Sequence, residues 1–159
     1  MKKTFQPLTF ILLFALASFT LFASDSLSSV CRKNTLTSVD GKKITLEQFK
    51  GKKVLVVFWA SWCSHCRHEL PDIQKIYDKY RSHLEVVAIS ADDDQAAMKA
   101  YLAQNHYTFP VVLITPEIEK CFGGIEGFPT TFLLDSDLNI VNKFLGYTEG
   151  NIIEDSIKK

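Results

Sequence analysis

A chain of 159 residues, 47% hydrophobic and 23% charged, holds apolar material for one compact domain and too little for two. Eighteen basic residues balance eighteen acidic ones, so bulk charge does not favour a polyanion and nucleic acid is not an expected partner. Internal repeats and low-complexity tracts are absent from the sequence.

The chain opens on Lys2 and Lys3, continues through an uncharged apolar stretch over residues 8–22, and reaches a small residue at Ala23. A positive start, an apolar middle and a small residue at the cleavage point predict a secretory signal peptide over residues 1–23. An uncleaved anchor is the competing reading, since no charge falls between residues 4 and 24 and a spanning helix needs about 20 apolar residues. Pro7 and the interspersed Thr and Ser residues favour cleavage. Ser28-Ser29-Val30 lacks the apolar-then-small pattern that a lipid-attached Cys31 would need. Without residues 1–23 the chain carries sixteen basic and eighteen acidic residues, a net charge of −2. Residues 24–34 read as a linker and residues 35–159 as the folded domain. Export places Cys31, Cys63, Cys66 and Cys121 outside the cytosol, where cysteines usually pair, bind metal or exchange disulfides.

In the mature chain, residues 35–39 and 43–46 flank Asp40-Gly41, a strong turn signal, and predict a β-hairpin. Thr45-Leu46-Glu47-Gln48 has capping-box spacing and predicts a short helix ending near Gly51. The continuous apolar run over residues 54–59 fits a central strand buried on both faces. Leu70, Ile73, Ile76 or Tyr77, Tyr80 and Leu84 recur every three or four residues and predict a helix, kinked by Pro71. Residues 84–90 read as a second buried strand, and Asp92 to Asp94 can cap a helix running to about His106. Residues 111–115 make a third strand, followed by a short helix that carries Cys121. Residues 130–135 and 140–145 read as two strands joined by a polar turn, with Thr148 capping a last helix. That order describes an α/β domain with helices on both faces of one sheet.

Cys63 and Cys66 fall where the first buried strand hands over to a helix. Two thiols separated by two residues on a first helical turn can close a small disulfide without large backbone movement. Cys63 lies at the helix N-terminus, where unpaired N–H groups and the macrodipole favour a thiolate, so it is the expected nucleophile. Cys66, one turn deeper, is placed to resolve a mixed disulfide by attacking the Cys63 sulfur. A closed zinc site wants four ligands and no second C-x-x-C occurs, so neither a metal nor a cofactor is expected.

FWASWCSHCRHELP resembles the active-site segment of thioredoxin-like proteins, and GFPTTFLLD resembles the segment that carries their cis-proline. With the lead-in DGKKITLEQFKGKKVLVVFW, the chain is similar, from about residue 35 to its C-terminus, to exported bacterial thiol-disulfide oxidoreductases of the TlpA, ResA and CcmG type. The resemblance implies a thioredoxin fold, a central mixed sheet with helices on both faces and an N-terminal β-hairpin extension. It also implies protein thiols and disulfides as substrates, recharged by a membrane electron donor. The signal peptide predicts a periplasmic location, and an uncleaved segment would give an anchored one facing the periplasm. Phe128-Pro129 matches the cis-proline position that faces the dithiol and leaves backbone free to pair with a substrate strand. Trp62 matches the family tryptophan that shields one side of the dithiol, and Pro71 the helix-kinking proline.

Val57 stands six residues before Cys63, where thioredoxins carry a buried aspartate, so that proton acceptor is missing. Glu69 occupies a site where ResA-type proteins carry a glutamate near the dithiol. Its spacing from Cys66 puts it on the same helix face, as either a proton acceptor for Cys66 or an ordinary solvated carboxylate. His65, between the cysteines, can donate a hydrogen bond or charge to the Cys63 thiolate and make the pair a better oxidant, or stay a passive surface residue. His68, His83 and His106 share no spacing and read as surface or helix-end residues. Cys31 and Cys121 complete an even count: a second disulfide, an intermolecular bridge and two unpaired thiols all remain open.

The favoured function is an enzyme that exchanges disulfides with protein cysteines in the reducing direction. A disulfide-donating oxidase or isomerase is the alternative that His65 suggests. A copper metallochaperone is weakened by the two-residue spacer and by the lack of a Met- or His-rich patch. A thiol peroxidase is weakened because a peroxidatic cysteine usually lacks a C-x-x-C partner.

Overall fold

The computed structural model describes residues 27–159. The signal segment expected over residues 1–23, and with it the question of cleavage or anchoring, lies outside the described residues. A five-residue helix, α1 (Ser29–Lys33), leads into a two-stranded antiparallel hairpin of β1 (Leu36–Thr37) and β2 (Lys43–Ile44). A 3-10 turn over Leu46–Phe49 follows, and the Gln48 side chain accepts the Thr45 N–H at 3.0 Å as the capping-box spacing predicts.

The chain then alternates β3 (Lys53–Trp59), α2 (Ser64–Tyr80), β4 (Leu84–Ser90), α3 (Gln95–Asn105), β5 (Val111–Leu113), α4 (Pro116–Cys121), β6 (Thr130–Leu134), β7 (Ile140–Leu145) and α5 (Gly150–Lys158). The strands form one mixed sheet in the order β5-β4-β3-β6-β7. β3 runs parallel to β4 and antiparallel to β6, which makes it the centre of the sheet.

That central position explains its unbroken apolar run. Leu55, Val57 and Trp59 face a core shared with Leu70 and Ile73 of α2 and Ile153 and Ile157 of α5. Val54, Val56 and Phe58 face a second core, shared with Leu36, Ile44 and Leu46 of the hairpin region and Ile118 of α4. Both faces are covered, so neither can carry polar residues.

Several expectations need correction. Leu84 does not continue the helical stripe: α2 ends at Tyr80, and Leu84 opens β4 opposite Lys53. Thr115 is not in a strand but caps α4, accepting the Ile118 N–H at 3.3 Å. Thr148 does not cap α5, whose N-cap is Glu149; its backbone N–H goes elsewhere, as described below. From Leu27 onward the expected linker is part of the fold. Leu27 is buried, and Cys31 of α1 is disulfide-bonded to Cys121 of α4.

Candidate active site

β3 delivers the chain to the N-terminus of α2 through residues 60–63. The turn is closed by the Cys63 N–H donating to the Ala60 carbonyl at 3.1 Å. Cys63 is the N-cap of α2, and its Sγ accepts the Cys66 N–H at 3.1 Å, so the sulfur lies at the positive end of a 17-residue helix. The two cysteines are joined as a disulfide. Cys63 retains 8% exposure and Cys66 none.

A carboxylate whose spacing marks it only as a helix-cap candidate anchors this turn. Asp94 caps α3, accepting the N–H groups of Ala96 and Ala97, whereas Asp92 turns back toward the dithiol loop. Asp92 accepts the Ser61 N–H at 2.9 Å, the Ser61 hydroxyl at 2.6 Å and the Ser90 hydroxyl at 2.6 Å. It is buried without a cation partner among the described residues, and these donors satisfy both of its oxygens. The contacts tie the end of β4 to the residue two before Cys63. A carboxylate following a buried strand, facing a Ser-rich strand-to-helix turn, was the available signal.

The exposed side of the dithiol is aromatic. Trp62 is 68% exposed and meets Phe128 edge-to-face with ring centroids 6.0 Å apart. The Phe128–Pro129 peptide bond is cis, as the motif implied. The Pro129 carbonyl accepts the N–H of Gly146, a position whose φ of +77° favours glycine. Phe128 thus meets Trp62, the residue before Cys63, and packs against the core that holds both cysteines, although the two aromatics come from a turn and a strand start far apart in sequence.

Glu69 is buried at 1% exposure, which removes the reading of a solvated surface carboxylate. One oxygen accepts the Thr131 hydroxyl at 2.9 Å and the other the Thr148 N–H at 2.8 Å. Burial pushes its carboxyl above the ordinary glutamate range; the Thr148 and Thr131 hydrogen bonds oppose that push, and Asp72 nearby adds to it. Thr131 is the cross-strand partner of Val57. The helix therefore brings a carboxylate next to the strand pair where the buried aspartate of thioredoxins is missing.

The raised carboxyl has a pH consequence. The folded protein holds this proton more tightly than the unfolded chain does, so the stabilisation is complete below the ordinary glutamate value of 4.5 and is lost as pH rises through the higher folded value. Glu69→Gln should flatten that decline in urea midpoints measured across the acid range. A decline identical to wild type would assign the pH dependence to another group.

His65 is exposed on the first turn of α2 and makes no side-chain hydrogen bond among the described residues. His68 is likewise exposed, His83 follows α2, and His106 ends α3 with a left-handed φ of 52°. The structure brings together Cys63, Cys66, Trp62 and Phe128, with His65 between the cysteines on the first turn of α2. A groove of about 1390 Å³ lies elsewhere, lined by Leu27, Cys31, Cys121 and Phe132, and does not include the dithiol.

A protein-family model described as Redoxin matches residues 18–158. The thiol-disulfide oxidoreductase ResA of Bacillus thuringiensis subsp. konkukian is 36% identical over 126 residues, covering 78% of this chain and 72% of that protein. A thiol:disulfide interchange protein of the thioredoxin family from Chlorobium tepidum superposes with a TM-score of 0.74 at 30% identity, covering 79% of this chain and 90% of that one. The pneumococcal exposed lipoprotein thioredoxin of Streptococcus pneumoniae gives a TM-score of 0.70 at 29% identity, covering 79% and 97%.

Proposed function

The chain belongs to the Redoxin family and is a thiol-disulfide oxidoreductase of thioredoxin fold, and we propose that Cys63 and Cys66 reduce disulfides of exported proteins. The observation that carries this reading is the placement of the pair. Cys63 caps a helix N-terminus and keeps 8% exposure, and Cys66 stands fully buried one turn behind it.

In the reduced enzyme, the Cys63 thiolate attacks one sulfur of a substrate disulfide and releases the other as a thiolate, leaving a mixed disulfide. Cys66, once deprotonated, attacks the Cys63 sulfur, and the second substrate thiolate departs. Two electrons have passed to the substrate, and the enzyme holds the Cys63–Cys66 disulfide. Glu69, one turn along from Cys66 and with its carboxyl raised above the ordinary glutamate range by burial, serves as acceptor for the Cys66 proton. Trp62, Phe128 and Pro129 form the platform on which the substrate segment rests.

The reaction takes place outside the cytosol, in the periplasm or from an anchored position facing it, and a membrane donor returns the electrons. The Lys2-Lys3 start with its apolar stretch supports export, and a structural relative is an exposed lipoprotein. His65 supports a second reading, in which the couple is oxidising enough to donate disulfides.

Insulin reduction with a small dithiol as electron source tests the proposal: turnover that requires Cys63 supports it. Copper uptake or peroxide consumption in place of insulin reduction would move the chain to another class. Trp62→Ala should raise KM for a protein disulfide several-fold and leave the melting temperature unchanged, because the indole is exposed. An unchanged KM would remove Trp62 from the platform.

A further inference from the structure

The second disulfide has no part in this exchange, yet it adjoins the segment that builds the substrate platform. Cys31 and Cys121 are 90 residues apart in sequence and are joined on the face of the sheet opposite the dithiol. Both pack against the core of Val54, Phe58 and Phe132, whereas Cys63 and Cys66 belong to the core of Leu55, Trp59 and Leu70. The sheet separates the two pairs, so neither can exchange with the other inside one molecule.

α1 contributes no buried side chain to the domain; its further side-chain tie is the Arg32–Glu47 ion pair at 3.4 Å. Cys121 is the last residue of α4. Directly after it, Phe122 packs on Phe58 and Phe132 with centroids 5.2 and 4.8 Å away. Gly123 and Gly124 follow, both with positive φ, and residues 125–127 lead to Phe128 and Pro129. The bond thus fixes the start of a glycine-rich segment whose end stands beside Trp62. Both cysteines are half-buried and line the open groove of about 1390 Å³, within reach of an external thiol or disulfide.

We propose that Cys31–Cys121 is an oxidatively formed staple that positions residues 122–129, so that exchange with protein disulfides reaches its full rate only when the staple is closed. Closing it transfers two electrons and two protons from the Cys31 and Cys121 thiols to an external disulfide, protein or small-molecule, which leaves as two thiols. The staple then orders α1 and the segment up to the platform. The proposal rests on the dithiol exchange assigned above.

The test compares the full chain with its Cys31→Ser/Cys121→Ser variant by amide hydrogen exchange and by kinetics with two substrates, insulin and a small aromatic disulfide. Protection should fall at residues 29–33 and 122–128 while β3 and β4 stay protected. KM for insulin should rise roughly tenfold, the equivalent of one weakened contact. Reaction with the small disulfide, and the Cys63–Cys66 potential, should not change, because neither uses the platform. Unchanged protection at residues 122–128, an unchanged insulin KM, or equal losses with both substrates would overturn the proposal. A variant that no longer folds would overturn it too, since α1 buries no side chain on which the whole domain could depend. If wild type fails to reduce insulin, the exchange reading fails, and the hydrogen-exchange comparison still decides whether the staple orders the segment.

Discussion

Cys66→Ser should accumulate covalent complexes with substrate proteins, and Cys63→Ser should form none and lose all turnover. The asymmetry follows from access and position. Cys63 caps the N-terminus of α2 and keeps slight exposure, and Cys66 one turn on is fully buried. A chain with Cys63 alone can attack a substrate but cannot resolve the mixed disulfide, whereas a chain with Cys66 alone offers a buried thiol that no protein disulfide can approach. Non-reducing gels with mass spectrometry of the trapped species check this. Equal trapping by both variants would invert the assigned roles.

Asp92→Ala should cost about 3 kcal/mol, because it strands three donors: the Ser61 N–H, the Ser61 hydroxyl and the Ser90 hydroxyl. Relief of a buried, unpaired charge offsets part of that loss, and the site's remaining exposure lets water in. The functional cost should exceed the cost in stability, since the freed loop ends at Cys63. Asp92→Asn, which keeps acceptor capacity, should recover much of both. Urea unfolding and Cys63 alkylation rates on the same variants measure the two effects. A normal alkylation rate in a destabilised Asp92→Ala would confine Asp92 to a structural part.

What could be read from the sequence was local. The dithiol, the hairpin at Asp40-Gly41, the central strand and α2 each follow from residues within a few positions of one another. Two motifs matched together gave the thioredoxin fold and the cis bond at Phe128–Pro129. What could not be read depended on distant partners. Glu69 is buried because Thr131 and Thr148, 62 and 79 residues away, supply its hydrogen bonds. Spacing on its own helix left a solvated carboxylate equally open. Asp92 and Asp94 are equivalent as capping candidates in sequence, and only the turn after β4 sends one to α3 and the other to Ser61. The Cys31–Cys121 bond closes across 90 residues, beyond any periodicity, and it makes a folded element of a segment that reads as linker. Leu84 kept the helical period by coincidence, because α2 stops four residues earlier and β4 begins there.

The reduction potential of the Cys63–Cys66 couple, measured by equilibration with glutathione, tests the central claim most directly. A reductase with a helix-capped thiolate and His65 between its cysteines should fall between thioredoxin, at about −270 mV, and isomerases, at about −180 mV. His65→Pro should lower the value by tens of millivolts if the imidazole stabilises the thiolate; about 30 mV corresponds to 1.4 kcal/mol for a two-electron couple. A wild-type potential near −120 mV, the region of strong disulfide donors, would contradict the reducing assignment.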